Sequence, residues 1–226
     1  MEEFMKNNLV TVQGELVENF YYNHTVLGEK FYTGKIKTTG NGTQNNVLNI
    51  LVSERLVDVT EGCVGKYARI EGQYRSYNHF QKTEGRNKLD LFVFARDFEF
   101  LDEPSQHGSI NEIYLKGFAC KPPNFRITPL GKEIADILLA VNRPYGKSDY
   151  IPCVCWGRNA RFVSRLGTGT LFAIHGYIRS RNYLKKMGND TVERRTAFEV
   201  SIQTIEVITD NEGERHGTKQ KPPVQI

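Results

Sequence analysis

Two stretches near the start of the chain return about a hundred residues later. Val10-Thr11-Val12-Gln13-Gly14 is echoed by Ile113-Tyr114-Leu115-Lys116-Gly117. Ala68-Arg69-Ile70-Glu71-Gly72-Gln73-Tyr74-Arg75-Ser76 is echoed by Phe172-Ala173-Ile174-His175-Gly176-Tyr177-Ile178-Arg179-Ser180. The offsets of these two are 103 and 104, so the spacing between them is kept in each half, and the closing segments Phe98-Glu99-Phe100-Leu101 and Ile205-Glu206-Val207-Ile208 also match, 107 residues apart. A conserved internal spacing of this length requires one folding unit per half, each near the common domain size. The expected organisation is a first unit over 1–103, a linker over 104–110, a second unit over 111–208 and a disordered tail over 209–226. The linker is rich in turn residues and lacks apolar periodicity, and the tail is polar.

Within each half the patterning is β. Residues 8–16 and 66–74 alternate apolar and polar side chains, and 89–101 and 196–208 mix β-branched, aromatic and polar residues in the same way. Only 54–60 and 159–166 read as helical, each between the third and fourth strand signals. Five strands with one short helix there fit an all-β architecture of two tandem OB-folds, the five-stranded Greek-key barrel, although another small barrel would share much of the pattern. Gly72 and Gly176 sit in matching strands, where a bulge or bend suits barrel closure.

Several classes are disfavoured. No apolar run reaches the roughly 18 residues of a membrane span, and the N-terminus lacks a basic segment followed by an apolar one, so a cytoplasmic protein is expected. Cys63, Cys120, Cys153 and Cys155 are read as buried structural thiols, because Cys-x-Cys is shorter than a zinc knuckle and no second pair follows. Asp136, Asp149, Asp190, Glu193 and Glu199 form no short-range ligand motif, and no phosphate loop or nucleophile elbow is present. Neither an enzyme, a metal site nor a cofactor is expected. Charge is unevenly spread: residues 1–103 hold 12 Lys/Arg against 15 Asp/Glu, a net of −3. Residues 104–226 hold 18 against 11, a net of +7. A basic half points to an acidic partner, nucleic acid being the commonest, or else to a plain solvated surface.

The second half carries Asn111-Glu112-Ile113-Tyr114-Leu115-Lys116-Gly117, then Lys121-Pro122-Pro123-Asn124-Phe125-Arg126, then Ile137-Leu138-Leu139-Ala140-Val141-Asn142-Arg143. Asp149-Tyr150-Ile151-Pro152-Cys153-Val154-Cys155-Trp156-Gly157 follows, and Ile174 to Tyr183 completes the series. In this order the blocks resemble the bacterial single-stranded-DNA-binding protein family over about 111–208. The primosomal replication protein N family, which shares the barrel, is the nearest competitor. The resemblance implies non-enzymatic, sequence-nonspecific binding of single-stranded DNA in replication, recombination or repair, by a nucleoid-associated bacterial protein. The alternative it leaves is a primosomal-type adaptor or other interaction barrel. It further implies a homodimer, which would assemble four barrels, and contacts with replication or primosome proteins.

Carried over position by position, Tyr145, Tyr150, Trp156 and Tyr183 fall where the family stacks bases, and Arg126, Arg143, Arg179 and Arg181 at its basic positions. Arg158, Lys147, Lys185 and Lys186 interleave with them. The mixture suits the chemistry, since every base has a π-face and every phosphate a charge. Core packing competes for each ring. It is disfavoured for Tyr145 and Tyr183, which lie in turn or hairpin sequence. It competes more for Tyr150 and Trp156, which are six apart on one strand and therefore share a face. The first half departs from the pattern: His79, followed by Phe80, replaces Tyr183, no aromatic matches Tyr150 or Trp156, and a neutral Gly40–Asn46 stretch replaces the Arg-bearing hairpin. Weak binding is expected there, with Tyr32, Tyr74, Arg75 and Tyr77 as auxiliary contacts. The basic end, Lys219 to Ile226, lacks the family's acidic tip, which weakens the expectation of partner recruitment by that route.

Overall fold

The computed structural model describes residues 6–39, 45–81, 86–102, 108–186 and 192–209. The first half forms β1 (Asn8–Val26), β2 (Glu29–Thr39), β3 (Asn45–Ser53), β4 (Tyr67–Gln81) and β5 (Arg86–Leu101). The second forms β6 (Ile110–Ala119), β7 (Asn124–Ile127), β8 (Glu133–Asn142), β9 (Ser148–Trp156), helix α1 (Arg158–Val163), β10 (Leu171–Lys186) and β11 (Val192–Val207). In the first half β1 pairs antiparallel with β2 and β4, β2 with β3, and β4 with β5, and a parallel β3–β5 contact closes the ring. The second half repeats the circuit with β6, β8, β9, β10 and β11. Two closed five-strand barrels of OB type result, and closure leaves few free strand edges.

Alternation in the sequence becomes inside and outside of these barrels. Val10, Val12, Ile36, Ile50, Ile70 and Val93 fill the first, and Leu115, Leu139, Ile151, Phe172, Ile174 and Ile178 the second. Each such side chain contributes about 1.5–3 kcal/mol on full burial. Gly72 and Gly176 sit at register shifts in β4 and β10, as the bulge expectation required. A Cβ there would lie 2.0 and 2.2 Å from the carbonyl oxygens of Phe94 and Ser201, so only glycine lets the strands approach.

One feature of the helix expectation fails. Residues 54–60 form turns and bends, while 158–163 are helical. Side chains capture the backbone in the first case: Ser53 Oγ accepts from Arg55 N (3.1 Å) and Asp58 Oδ1 from Thr60 N (2.9 Å). Strand β7, an addition outside the second ring that pairs only with β8, was not anticipated. The 40–44 part of the neutral stretch, residue 103 with most of the linker (104–107), and the tail from 210 lie outside the described residues. The linker's end is tied to the first barrel, since Ser109 Oγ donates to Gln13 O (2.8 Å) and accepts from Thr39 N (2.8 Å).

The barrels join through β1 and β6, which pair antiparallel as Asn8↔Leu115, Val10↔Ile113 and Val12↔Asn111. Val10 thus pairs with its own repeat counterpart. That register is the signature of a two-fold, isologous interface, here built within one chain. A second, reciprocal contact lies between the barrels on the side of β3 and β9. Val47 N donates to Ser180 Oγ (3.0 Å), and Tyr150 N donates to Ser76 Oγ (2.8 Å).

Candidate nucleic-acid interface

Strand β9 alternates from Asp149 to Cys153. Asp149, Ile151, Cys153 and Cys155 are buried, whereas Tyr150, Pro152 and Trp156 keep exposure on the other face, with Val154 between them covered where it pairs with Ser201 of β11. The six-residue separation places Tyr150 and Trp156 on one outer face, about 20 Å apart along the strand. Tyr150 is 47% exposed, which removes the core reading for that ring. Trp156 is half-buried: its Nε1–H donates to Ser201 Oγ (3.2 Å), and the Arg179 guanidinium lies 5.7 Å from its ring centroid. One face of the indole is therefore backed by the barrel and the ring is held in place.

Tyr145 lies at the tip of the β8–β9 hairpin, in the tight turn Pro144–Gly146. Its φ of 65° puts a non-glycine residue in left-handed backbone, and the side chain is 94% exposed. Arg143 N donating to Lys147 O (2.7 Å) closes the turn beneath it. An aromatic ring so displayed buries almost nothing in the free protein, so packing gives no account of it.

On the β10–β11 arm, Arg179, Arg181, Tyr183 and Lys185 share one face with Glu199, Ala197, Arg195 and Glu193 opposite. The Arg181 guanidinium stands 5.7 Å from the ring centroid of Tyr183, which is 37% exposed. Arg179 is largely covered, its charge faces Glu199 (3.7 Å), and its Nε finds no acceptor among the described residues. Because Trp156 touches both Ser201 and Arg179, the outer faces of β9 and of the β10–β11 arm are continuous. Arg158 is exposed directly after this strand, and Lys147 in the hairpin turn. Arg126 on β7 faces Ile134, whose other neighbour is Trp156, and bonds Asp136 through Nε (2.6 Å). That hydrogen bond, against a small burial effect, raises the pKa of the Arg126 guanidinium. The Lys186 side chain, like those of His79 and Phe80, lies outside the described residues.

Two sequence expectations are corrected. Tyr74 is 1% exposed and belongs to the first barrel's core, its hydroxyl without a partner among the described residues. Its inward register on β4 rules out contact with a strand of nucleic acid. Arg143 is not a free surface cation either. Its guanidinium chelates buried Asp149 and donates through Nη2 to Ser76 O of the other barrel (3.1 Å). The other auxiliary residues are also engaged. Tyr32 packs edge-on against Tyr22 (6.0 Å) and on the core, and Tyr77 edge-on against Phe92 (5.8 Å). Arg75 lies 3.8 Å over Phe94, and burial, aided by nearby Arg143, lowers its pKa. Cys63, Cys153 and Cys155 are buried and free, and Cys120 is free and half-buried. Burial pushes the Cys155 thiol up to about 12 and also raises Cys153 well above its usual range.

Sequence reasoning missed a cleft of about 600 Å³ between the barrels, lined by Lys35, Asn49 and Lys88 of the first and Pro152, Tyr183 and Arg195 of the second. Asn49 and Pro152 occupy matching places in the repeat, so the cleft straddles the internal two-fold. The pairing of β1 with β6 and the reciprocal contacts of Ser76 and Ser180 bring them together, and no local pattern announces it.

The model of the single-strand binding protein family matches residues 110–208. Single-stranded DNA-binding protein A of Bacillus subtilis (strain 168) is 31% identical over 116 residues, which cover 48% of this chain and 65% of that protein. Single-stranded DNA-binding protein 3 of Listeria innocua is 31% identical over 116 residues, covering 48% of this chain and 70% of that one. The chain belongs to the single-strand binding protein family. Its match thus spans a little under two thirds of the Bacillus subtilis relative. Among solved structures, the wild-type single-stranded DNA binding protein from Thermus aquaticus superposes with a TM-score of 0.69 at 19% identity. That likeness covers 93% of this chain and 97% of the other, so the shared fold takes in both barrels.

Proposed function

We propose that the protein binds single-stranded DNA without sequence preference and without turnover, using the outer face of the second barrel. Bases stack on Tyr145, Tyr150, Trp156 and Tyr183. Arg126, Arg158, Arg181 and Lys185 answer the phosphates, and Arg179 acts by holding Trp156. The observation that carries this reading is the display of these rings, one of them 94% exposed at a hairpin tip, along a continuous face that also bears the cations. Stacking contributes roughly 1–3 kcal/mol per base and tolerates any base, while charge sets a salt-dependent background. The family relationship supports a role in replication and repair in the bacterial cytoplasm.

Assembly into a homodimer belongs to the same proposal. The outward face of β1 and β6 exposes Leu9 and Phe118, apolar groups that a second copy would cover. Light scattering returning the mass of one chain would refute it. For binding itself the test is competition against a labelled oligo(dT): unlabelled single strands should displace it far better than duplex, and better than RNA. Equal competition by duplex would overturn the stacking mechanism.

A further inference from the structure

One residue of the first barrel makes three hydrogen bonds to the segment of the second that carries Tyr145 and Tyr150. Ser76 Oγ accepts from Tyr150 N (2.8 Å), Ser76 N donates to Asp149 Oδ1 (2.6 Å), and Ser76 O accepts from Arg143 Nη2 (3.1 Å). Arg143 and Asp149 are themselves chelated across the base of the hairpin, with Asp149 only 2% exposed at its side chain and Arg143 19%. Burial disfavours the charged guanidinium, but its bonds to Asp149 outweigh that and raise its pKa. The reciprocal contact is weaker in kind. Ser180 of the second barrel receives Val47 N and donates its N–H to Asn46 Oδ1 (3.1 Å), with a neutral amide where the other side has a carboxylate.

We propose that Arg143 is a positioning residue, not a phosphate contact: with Asp149 it grips Ser76, so that the first barrel sets the orientation of Tyr150 and of the Tyr145 hairpin. The first barrel then contributes to binding without touching the strand. This geometry explains why a cation in an otherwise exposed basic hairpin faces inward. Its fork reaches a carboxylate and a carbonyl at once, which lysine's single ammonium cannot do with the same planarity. The inference rests on the single-strand reading for its consequence, but the grip can be tested without DNA.

The test uses the full-length chain and a labelled oligo(dT), titrated across a range of salt. Arg143→Gln should weaken binding while leaving the slope of log K against log[salt] unchanged. A lost phosphate contact would instead shrink that slope by about 0.7. Ser76→Ala, which removes only the hydroxyl acceptor, should weaken binding roughly two- to fivefold, again with no change of slope. In the free protein, hydrogen exchange at Tyr150 N should accelerate in both variants. If Arg143→Gln does not fold, Arg143→Gln with Asp149→Asn leaves no lone buried charge and carries the same comparison. A slope reduced by about 0.7 with unaltered exchange at Tyr150 would overturn the proposal. Failure of the wild-type protein to bind oligo(dT) would defeat the single-strand reading instead, and the exchange data would still judge the grip.

Discussion

Where the second barrel carries Tyr150, the first carries Val47, and where the second carries Trp156, the first carries Ser53. These are equivalent positions, because the parallel ladders fix Ile50 opposite Val93 in one barrel and Cys153 opposite Val200 in the other. Inside, the two agree: Ile70 and Ile174, or Ile50 and Cys153, are buried at matching sites. Arginine follows the aromatic: Arg179 lies against Trp156, while Arg75 lies over Phe94, within its own barrel's wall. Inward positions hold the barrel closed and change little in character, whereas outward positions are free to diverge. One copy can therefore specialise in ligand contact while its twin becomes a platform.

The largest expected asymmetry is in stacking. Replacing Tyr145, Tyr150 and Tyr183 together by Ala should weaken oligo(dT) binding about 100-fold or more, at roughly 1–3 kcal/mol per base. Val47→Ala in the first barrel should change it less than twofold. Thermal melts should shift little in either variant, since all four side chains are substantially exposed. A matching loss of stability in the triple variant would show the tyrosines to be structural.

Charge should follow the same division. Arg181→Gln removes an exposed cation beside Tyr183 and should reduce the salt slope by about 0.7. Lys35→Gln, whose ammonium already meets Glu18 at 2.7 Å, should leave it unchanged. An equal reduction from both would extend the interface through the cleft into the first barrel.

Tyr74→Phe sharpens the comparison from the other side. Removing a buried hydroxyl that has no partner among the described residues should leave stability unchanged or raise it by up to about 1 kcal/mol. Oligo(dT) affinity should not move. Loss of affinity at unchanged stability would restore Tyr74 as a contact.

The narrowest effect, confined to one pH window and absent at neutral pH, concerns alkaline conditions. Cys155 occupies the position of Val52 in the first barrel, and its thiol is raised from 9.0 to about 12 by burial. A raised folded pKa stabilises the fold below about pH 9, and that contribution is lost as pH climbs from 9 towards 12. Cys155→Val should therefore flatten the alkaline fall of the melting temperature over this window. An identical pH profile would show that thiol ionisation plays no part.

Much of this was legible in the sequence, and for identifiable reasons. The repeat fixed the barrel count, alternation predicted the strands, and parity put Tyr150 and Trp156 on one face of β9. Turn chemistry around Pro144 and Gly146 predicted that Tyr145 would be exposed. The alternation of 66–74 already places Tyr74 on the face of Ala68 and Ile70, whereas no local pattern tells which way Arg143 points, because that depends on Ser76, 67 residues away. Arg143 looks basic and exposed until Asp149 and Ser76 are brought beside it. The 54–60 segment misled for a more local reason, as Ser53 and Asp58 hold the backbone in turns that composition alone does not reveal.

The central claim is that the outer face of the second barrel receives the strand, and the chain's single tryptophan lies on that face. Titration with oligo(dT) should quench Trp156 fluorescence saturably, with a midpoint matching that of a labelled-strand anisotropy titration. An unchanged Trp156 signal while anisotropy reports saturation would place the strand elsewhere and contradict the account.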